Sequence, residues 1–100
     1  MNTGYKIVIS PIAKANIREA ITYYKENVSL KIAQSFLKDY EINVEMITKN
    51  PFYSIYYKNF RGKPMKKFPY IIFFTLNEQQ NIILIKAVFN THKNPTKYPK

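Results

Sequence analysis

A two-layer α+β fold is what this sequence predicts, and three observations predict it. Apolar residues recur at spacings of three and four through the first half, the period of a helix with one buried side. After Pro51 the pattern changes to short aromatic and β-branched runs broken by turn formers, which is how strands read. One hundred residues, 46% of them hydrophobic, supply a single packed core between two layers and no second one. Residues 1–100 are therefore read as one domain.

The elements follow in order. Tyr5-Lys6-Ile7-Val8-Ile9-Ser10 is rich in strand formers and sets Tyr5, Ile7 and Ile9 on one face. Ser10-Pro11 starts a helix, because serine accepts a bond from the free N–H groups of the first turn and proline suits the first helical position. That helix runs from about Pro11 to about Asn27, with Ala13, Ile17, Ala20, Ile21 and Tyr24 as its apolar stripe. Ser29 caps a second helix, from about Leu30 to about Lys49, whose stripe is Ile32, Ala33, Phe36, Leu37, Tyr40, Val44 and Ile47. Asn50-Pro51 stops it, since proline disfavours helical backbone in the residue before it. So short a break between two amphipathic helices makes them an antiparallel hairpin.

Phe52 to Tyr57 reads as a short aromatic strand, and Lys58-Asn59-Phe60-Arg61-Gly62-Lys63-Pro64 as a basic turn. Met65 to Phe68 begins the next strand. Tyr70 to Leu76 and Asn81 to Phe89 are strong strands joined by Asn77-Glu78-Gln79-Gln80 as a hairpin turn. Both are apolar on both faces, which puts them mid-sheet with one side against the helices. The other side needs a cover, from the tail or from a partner. Residues 91–100 hold two prolines and three lysines and read as an extended tail. The expected architecture is an N-terminal strand, an antiparallel helix hairpin and a mainly antiparallel sheet of three further strands.

Charge is distributed unevenly. The chain carries +10 in all; residues 1–48 net +1 and residues 49–100 net +9, with Glu78 the only acid in the second half. Such asymmetry implies one positive face, suited to a polyanion or an acidic protein partner. There is no cysteine, so disulfides, thiolate metal sites and thiol nucleophiles are excluded and a reducing cytoplasm is expected. No run approaches the ~18 apolar residues of a membrane span, and the first residues lack the features of a signal peptide.

Two groups of residues invite a chemical reading. Lys58, Arg61, Lys63, Lys66 and Lys67 fall within ten residues and are interleaved with Tyr56, Tyr57, Phe60 and Phe68. Basic side chains pair with phosphates and aromatic faces stack on unpaired bases. Alone, the aromatics read as sheet packing; the lysines read either as a target-binding group or as charge that keeps a strand edge soluble. His92 is the only histidine, and an unperturbed imidazole titrates near neutrality. It reads as an incidental surface residue or as a general acid–base in phosphodiester cleavage, with Arg61 or Lys66 stabilising the developing charge. There is no metal-ligand set, no Gly-rich phosphate loop and no paired carboxylate in the sheet half. No cofactor is expected. Asp39, Glu41 and Glu45 are read as solvated-face residues of the second helix.

The order strand, helix hairpin, strands, with Ser10-Pro11, Tyr23-Tyr24, Asn50-Pro51, Lys67-Phe68-Pro69-Tyr70 and Asn94-Pro95, resembles the RelE/ParE family of toxins from bacterial type II toxin–antitoxin systems. The likeness runs from about Tyr5 to Tyr98. It implies a cognate antitoxin that wraps the toxin with an acidic segment, in a hetero-oligomer. It also implies one of two targets. ParE-like members poison DNA gyrase; RelE-like members cleave mRNA in the ribosomal A site. The Phe68-Pro69-Tyr70 strand entry and the Pro95 tail resemble the ParE side, although Asn90 and Lys93 stand where ParE-like sequences often carry histidine and arginine. On the RelE side, Arg61, Lys63, Lys66 and Lys67 correspond to the basic cluster, and His92 or Tyr98 to the C-terminal group. The expected function is a ParE-like growth-inhibiting toxin whose target contacts are Lys58, Arg61, Lys63, Lys66, Lys67, Lys93 and Tyr98. The alternatives are a RelE-like endonuclease using His92 and Arg61, and a degenerate protein that only binds its antitoxin.

Overall fold

The computed structural model describes residues 4–52, 55–57 and 60–92, the strand 55–57 by its backbone. β1 (Lys6–Ile9) leads into α1 (Pro11–Asn27) and α2 (Leu30–Lys49), followed by β2 (Ile55–Tyr57), β3 (Phe60–Pro64), β4 (Tyr70–Asn77) and β5 (Ile82–Asn90). The strands form one sheet in the order β1-β5-β4-β3-β2. β1 runs parallel to β5, and every other pairing is antiparallel. β4 and β5 are interior strands, as their two apolar faces require. The two-layer α+β class holds.

Both helix starts are where the serines predict them. The Ser10 hydroxyl accepts from the Ala13 N–H at 3.0 Å and the Ser29 hydroxyl from the Ile32 N–H at 3.1 Å, each satisfying a first-turn donor with no partner inside its helix. Ser10 also donates to the Lys86 carbonyl at 2.9 Å. That second bond matters because Phe73 pairs with Ala87 and Phe74 with Ile85, leaving Lys86 as the extra residue of a β-bulge. Asn16 of α1 accepts from the Val88 N–H at 3.0 Å. The N-cap of α1 and one side chain within it thus occupy backbone groups beside the bulge, and Ile85 and Val88 both turn into the helix-facing core.

That core lies between the helix hairpin and one face of the sheet. Ala13, Ala20, Phe36, Tyr40 and Ile47 meet Tyr70, Ile72, Phe74, Ile83, Ile85 and Val88, with Tyr5, Ile7 and Ile9 packed at its margin. On the opposite face Ile71, Phe73 and Ala87 form a smaller buried cluster with Phe60 and Phe89. The extended tail expected over residues 91–100 falls, beyond His92, outside the described residues.

Two local readings are corrected. The segment expected to be a basic turn is a strand from Phe60 onward, pairing Arg61 with Phe74 and Lys63 with Ile72. Met65 to Phe68, expected to open the next strand, fall instead in the turn formed by residues 65–69. Its ends are closed by Met65 N–H donating to the Tyr70 carbonyl at 2.8 Å and Tyr70 N–H to the Phe68 carbonyl at 2.8 Å. The reason is alternation: a five-residue strand carrying Arg and Lys on one face has almost no apolar signal, although its backbone completes the sheet beside β4.

Candidate functional site

The antiparallel register decides which of the candidate residues meet. Arg61 pairs with Phe74, whereas Asn90, two residues before His92, pairs with Tyr70. Four residues along the strands and two strand spacings across put Arg61 roughly 16 Å from the end of β5. Arg61 is half-buried, with its guanidinium 5.7 Å from the centre of the Phe52 ring. His92 is exposed just past β5, its N–H donating to the Asn90 side-chain oxygen at 2.8 Å. The pair proposed for phosphodiester cleavage is therefore not assembled in one place.

Lys66 and Lys67 are exposed on the β3–β4 turn. This turn abuts the end of β5, because Thr91 donates to the Pro69 carbonyl through its N–H at 2.8 Å and its hydroxyl at 3.1 Å. Lys66, Lys67 and His92 consequently share one end of the sheet. The side chain of Lys58 falls outside the described residues, as do Lys93 and Tyr98.

Lys63 behaves differently from its neighbours. It is only 7% exposed, so it leaves the surface cluster in which it was expected. Its ammonium donates to Asn43 Oδ1 at 2.7 Å and to the Pro64 carbonyl at 3.0 Å. Asn43, fully buried on α2, donates from Nδ2 to the carbonyl of Asp39 at 2.7 Å and to its Oδ1 at 3.2 Å. Asp39 Oδ2 then accepts the backbone N–H of Lys67 at 3.0 Å. Burial lowers the Lys63 pKa and nearby Lys66 adds to the effect, with Asp39 opposing both.

Asp39 was expected on the solvated face of α2 and is 4% exposed. The sequence did carry a signal for this network. Asn43 sits within the spacing 36, 40, 43, 47 of the buried stripe, and a polar residue there requires a partner. What no spacing indicates is that the partner comes from position 63.

Beside this network is an aromatic cluster. The Phe36 ring lies 5.0 Å from Tyr70, 5.4 Å from Phe68 and 5.8 Å from Tyr24, and Tyr24 lies 5.2 Å from Phe68. Most of these are edge-on contacts, the favourable geometry for ring pairs. The Tyr23-Tyr24 and Phe68-Pro69-Tyr70 motifs thus meet in space. Burial, followed by the adjacent Tyr70, pushes the Tyr24 hydroxyl up to about 12. Tyr40 is also pushed up to about 12, chiefly by burial, and its buried hydroxyl has no hydrogen-bond partner among the described residues.

Among the described residues, Lys66, Lys67 and His92 stand at one sheet end, Arg61 lies apart from them, and no His, Cys, Asp or Glu cluster could hold a metal. No helix among them is long and apolar enough to cross a membrane. The sequence matches, over residues 7–95, the family described as ParE toxin of type II toxin–antitoxin system, parDE, and the chain belongs to that family. Its fold is similar to a chain of the chromosomal ParDE TA system from P. aeruginosa, with a TM-score of 0.77 at 13% identity. The likeness covers 90% of this chain and 99% of that one. No curated protein matches in sequence.

Proposed function

We propose that this chain is the toxin of a type II toxin–antitoxin pair, that it arrests growth by binding and inhibiting DNA gyrase, and that a cognate antitoxin neutralises it in the cytoplasm. The observation that carries the reading is the ParE family match along residues 7–95. Inhibition by binding, without catalysis by the toxin, is also favoured by the separation of Arg61 from His92 and by the withdrawal of Lys63 from the surface. In this reading Lys66 and Lys67 contact the target together with Lys58, Arg61, Lys93 and Tyr98. The antitoxin is an acidic chain: a net charge of +10 favours it electrostatically. Ile12, Tyr23, Leu30, Leu37 and Ile42 offer exposed apolar anchors on the helices.

The test is induction of the chain alone in a bacterial host, with pulse labelling of DNA and protein, and a supercoiling assay with purified gyrase. An early fall in DNA synthesis, inhibition of supercoiling, and relief of both by the antitoxin are expected. Blocked translation with DNA synthesis spared would replace gyrase with the ribosome, and His92→Ala would then be the decisive variant. Normal growth would leave a protein that binds its antitoxin and nothing more.

A further inference from the structure

The β3–β4 turn is fastened far more heavily than an exposed, soluble loop requires. From below, Asp39 holds the Lys67 N–H, and Asp39 is itself held by Asn43, which in turn accepts from Lys63. From the side, Thr91 makes two bonds to the Pro69 carbonyl. At the strand ends, Met65 and Tyr70 close the turn with backbone bonds. The relay places three polar side chains, two of them charged, at 7% exposure or less between α2 and the sheet.

Burying such groups is a poor route to stability, because desolvation consumes most of what their mutual attraction returns. Apolar side chains of similar size would hold α2 against β3 at least as well. Directional bonds accomplish something apolar packing cannot, which is to select one orientation of the turn they hold. The two side chains displayed by that turn, Lys66 and Lys67, are exposed, and lysine on a free loop loses much of its contact energy to side-chain and backbone ordering.

We infer that Asp39, Asn43 and Lys63 are positioning residues that hold the β3–β4 turn in the one orientation in which Lys66 and Lys67 meet the toxin's target. This rests on the reading above that these two lysines contact the target. Lys63 acts through the turn and from beneath it, not as a contact.

The decisive variant is the triple substitution Asp39→Leu, Asn43→Leu and Lys63→Met in the full chain, purified with its antitoxin and then freed of it. Its melting temperature is expected to equal or exceed that of the wild type. The Lys67 amide is expected to pass from a rigid order parameter of ~0.85 to below ~0.6. Growth arrest on induction is expected to weaken about tenfold or more, the loss that ~1.4 kcal/mol of binding represents, and to match that of Lys66→Ala/Lys67→Ala. Asp39→Ala, which removes the acceptor of the Lys67 N–H together with the Asn43 Nδ2–Oδ1 bond, serves if the triple variant does not fold. A folded variant with a loosened Lys67 amide and undiminished growth arrest would overturn the inference, and so would a Lys67 amide that stays rigid. A wild-type chain that arrests growth without touching gyrase defeats the target assignment alone, since growth is the readout here. A wild-type chain that does not arrest growth defeats both.

Discussion

Within two turns of α2 the helix meets the sheet through two unlike surfaces. At Phe36 the contact is aromatic: one fully buried ring against Tyr24, Phe68 and Tyr70. At Asp39 and Asn43 it is polar, reaching Lys63 on β3 and the Lys67 N–H beyond it. The first surface is tolerant of small adjustments and is stabilised by area removed from water and by ring pairing. The second is intolerant, since each of its bonds works only at one distance and angle. The difference teaches a division of labour: the aromatic half keeps the layers together, and the polar half determines how one turn is held.

Four measurements can break or sharpen this contrast, beginning with the largest effect. Phe36→Ala removes a fully buried ring from the centre of the aromatic cluster. It is expected to cost about 4 kcal/mol in denaturant unfolding, a large part of the stability of a domain this size. A cost below ~1 kcal/mol would show that the aromatic surface is not what joins the layers.

Asn43→Leu comes next. It leaves the Lys63 ammonium without one acceptor and Asp39 Oδ1 without a donor, and is expected to destabilise by about 2–3 kcal/mol. The apolar triple variant described above is expected to recover that loss. Such non-additivity marks a coupled unit, and simple additivity of the three substitutions would show that there is no relay.

The third measurement is stability at alkaline pH. Tyr24 and Tyr40 are pushed up to about 12 in the folded chain, against an ordinary value of 10.0. Between those limits the folded state keeps protons that the unfolded state releases, so stability is present below pH 10 and falls as pH rises towards 12. Lys63 has the opposite sign. Its lowered pKa means the unfolded chain binds the extra proton just below pH 10.5, so this residue contributes a gain as pH rises through that window. Melting curves across this range in the wild type and Lys63→Met should differ in that sense; coincident curves would show that Lys63 is not desolvated.

The smallest effect belongs to Tyr40→Phe. The Tyr40 hydroxyl is buried without a partner among the described residues, a desolvation loss with no compensating bond. Its removal is expected to raise stability by about 1 kcal/mol. A fall in stability would mean that the hydroxyl has a partner in the folded protein.

How legible all this was differs by region. Both helices lie where their stripes and serine caps predict them, because capping and 3.6-residue periodicity are local properties. Interior strands β4 and β5 were equally plain, since burial on both faces demands continuous apolar residues. β3 was not legible. Its glycine, proline and alternating cations imitate a turn, and only its place beside β4 makes it a strand. The same blindness applied to the site: Lys66 and Lys67 were found as a cluster, but Lys63 was grouped with them although its ammonium is directed into the helix layer.

The sequence by itself determined the two-layer class, the helix hairpin, the two central strands and the uneven charge, all of which follow from composition and short-range spacing. Only the tertiary structure decided that Arg61 and His92 lie far apart, that Asp39 and Asn43 are interior, and that Lys63 joins them. Those facts depend on strand register and on contacts between residues 20 and 28 positions apart. A shift of one residue in register would turn Lys63 to the opposite face of the sheet. Nothing in local propensity specifies that choice; it is made when the apolar face of β4, beside β3, is packed against the helices.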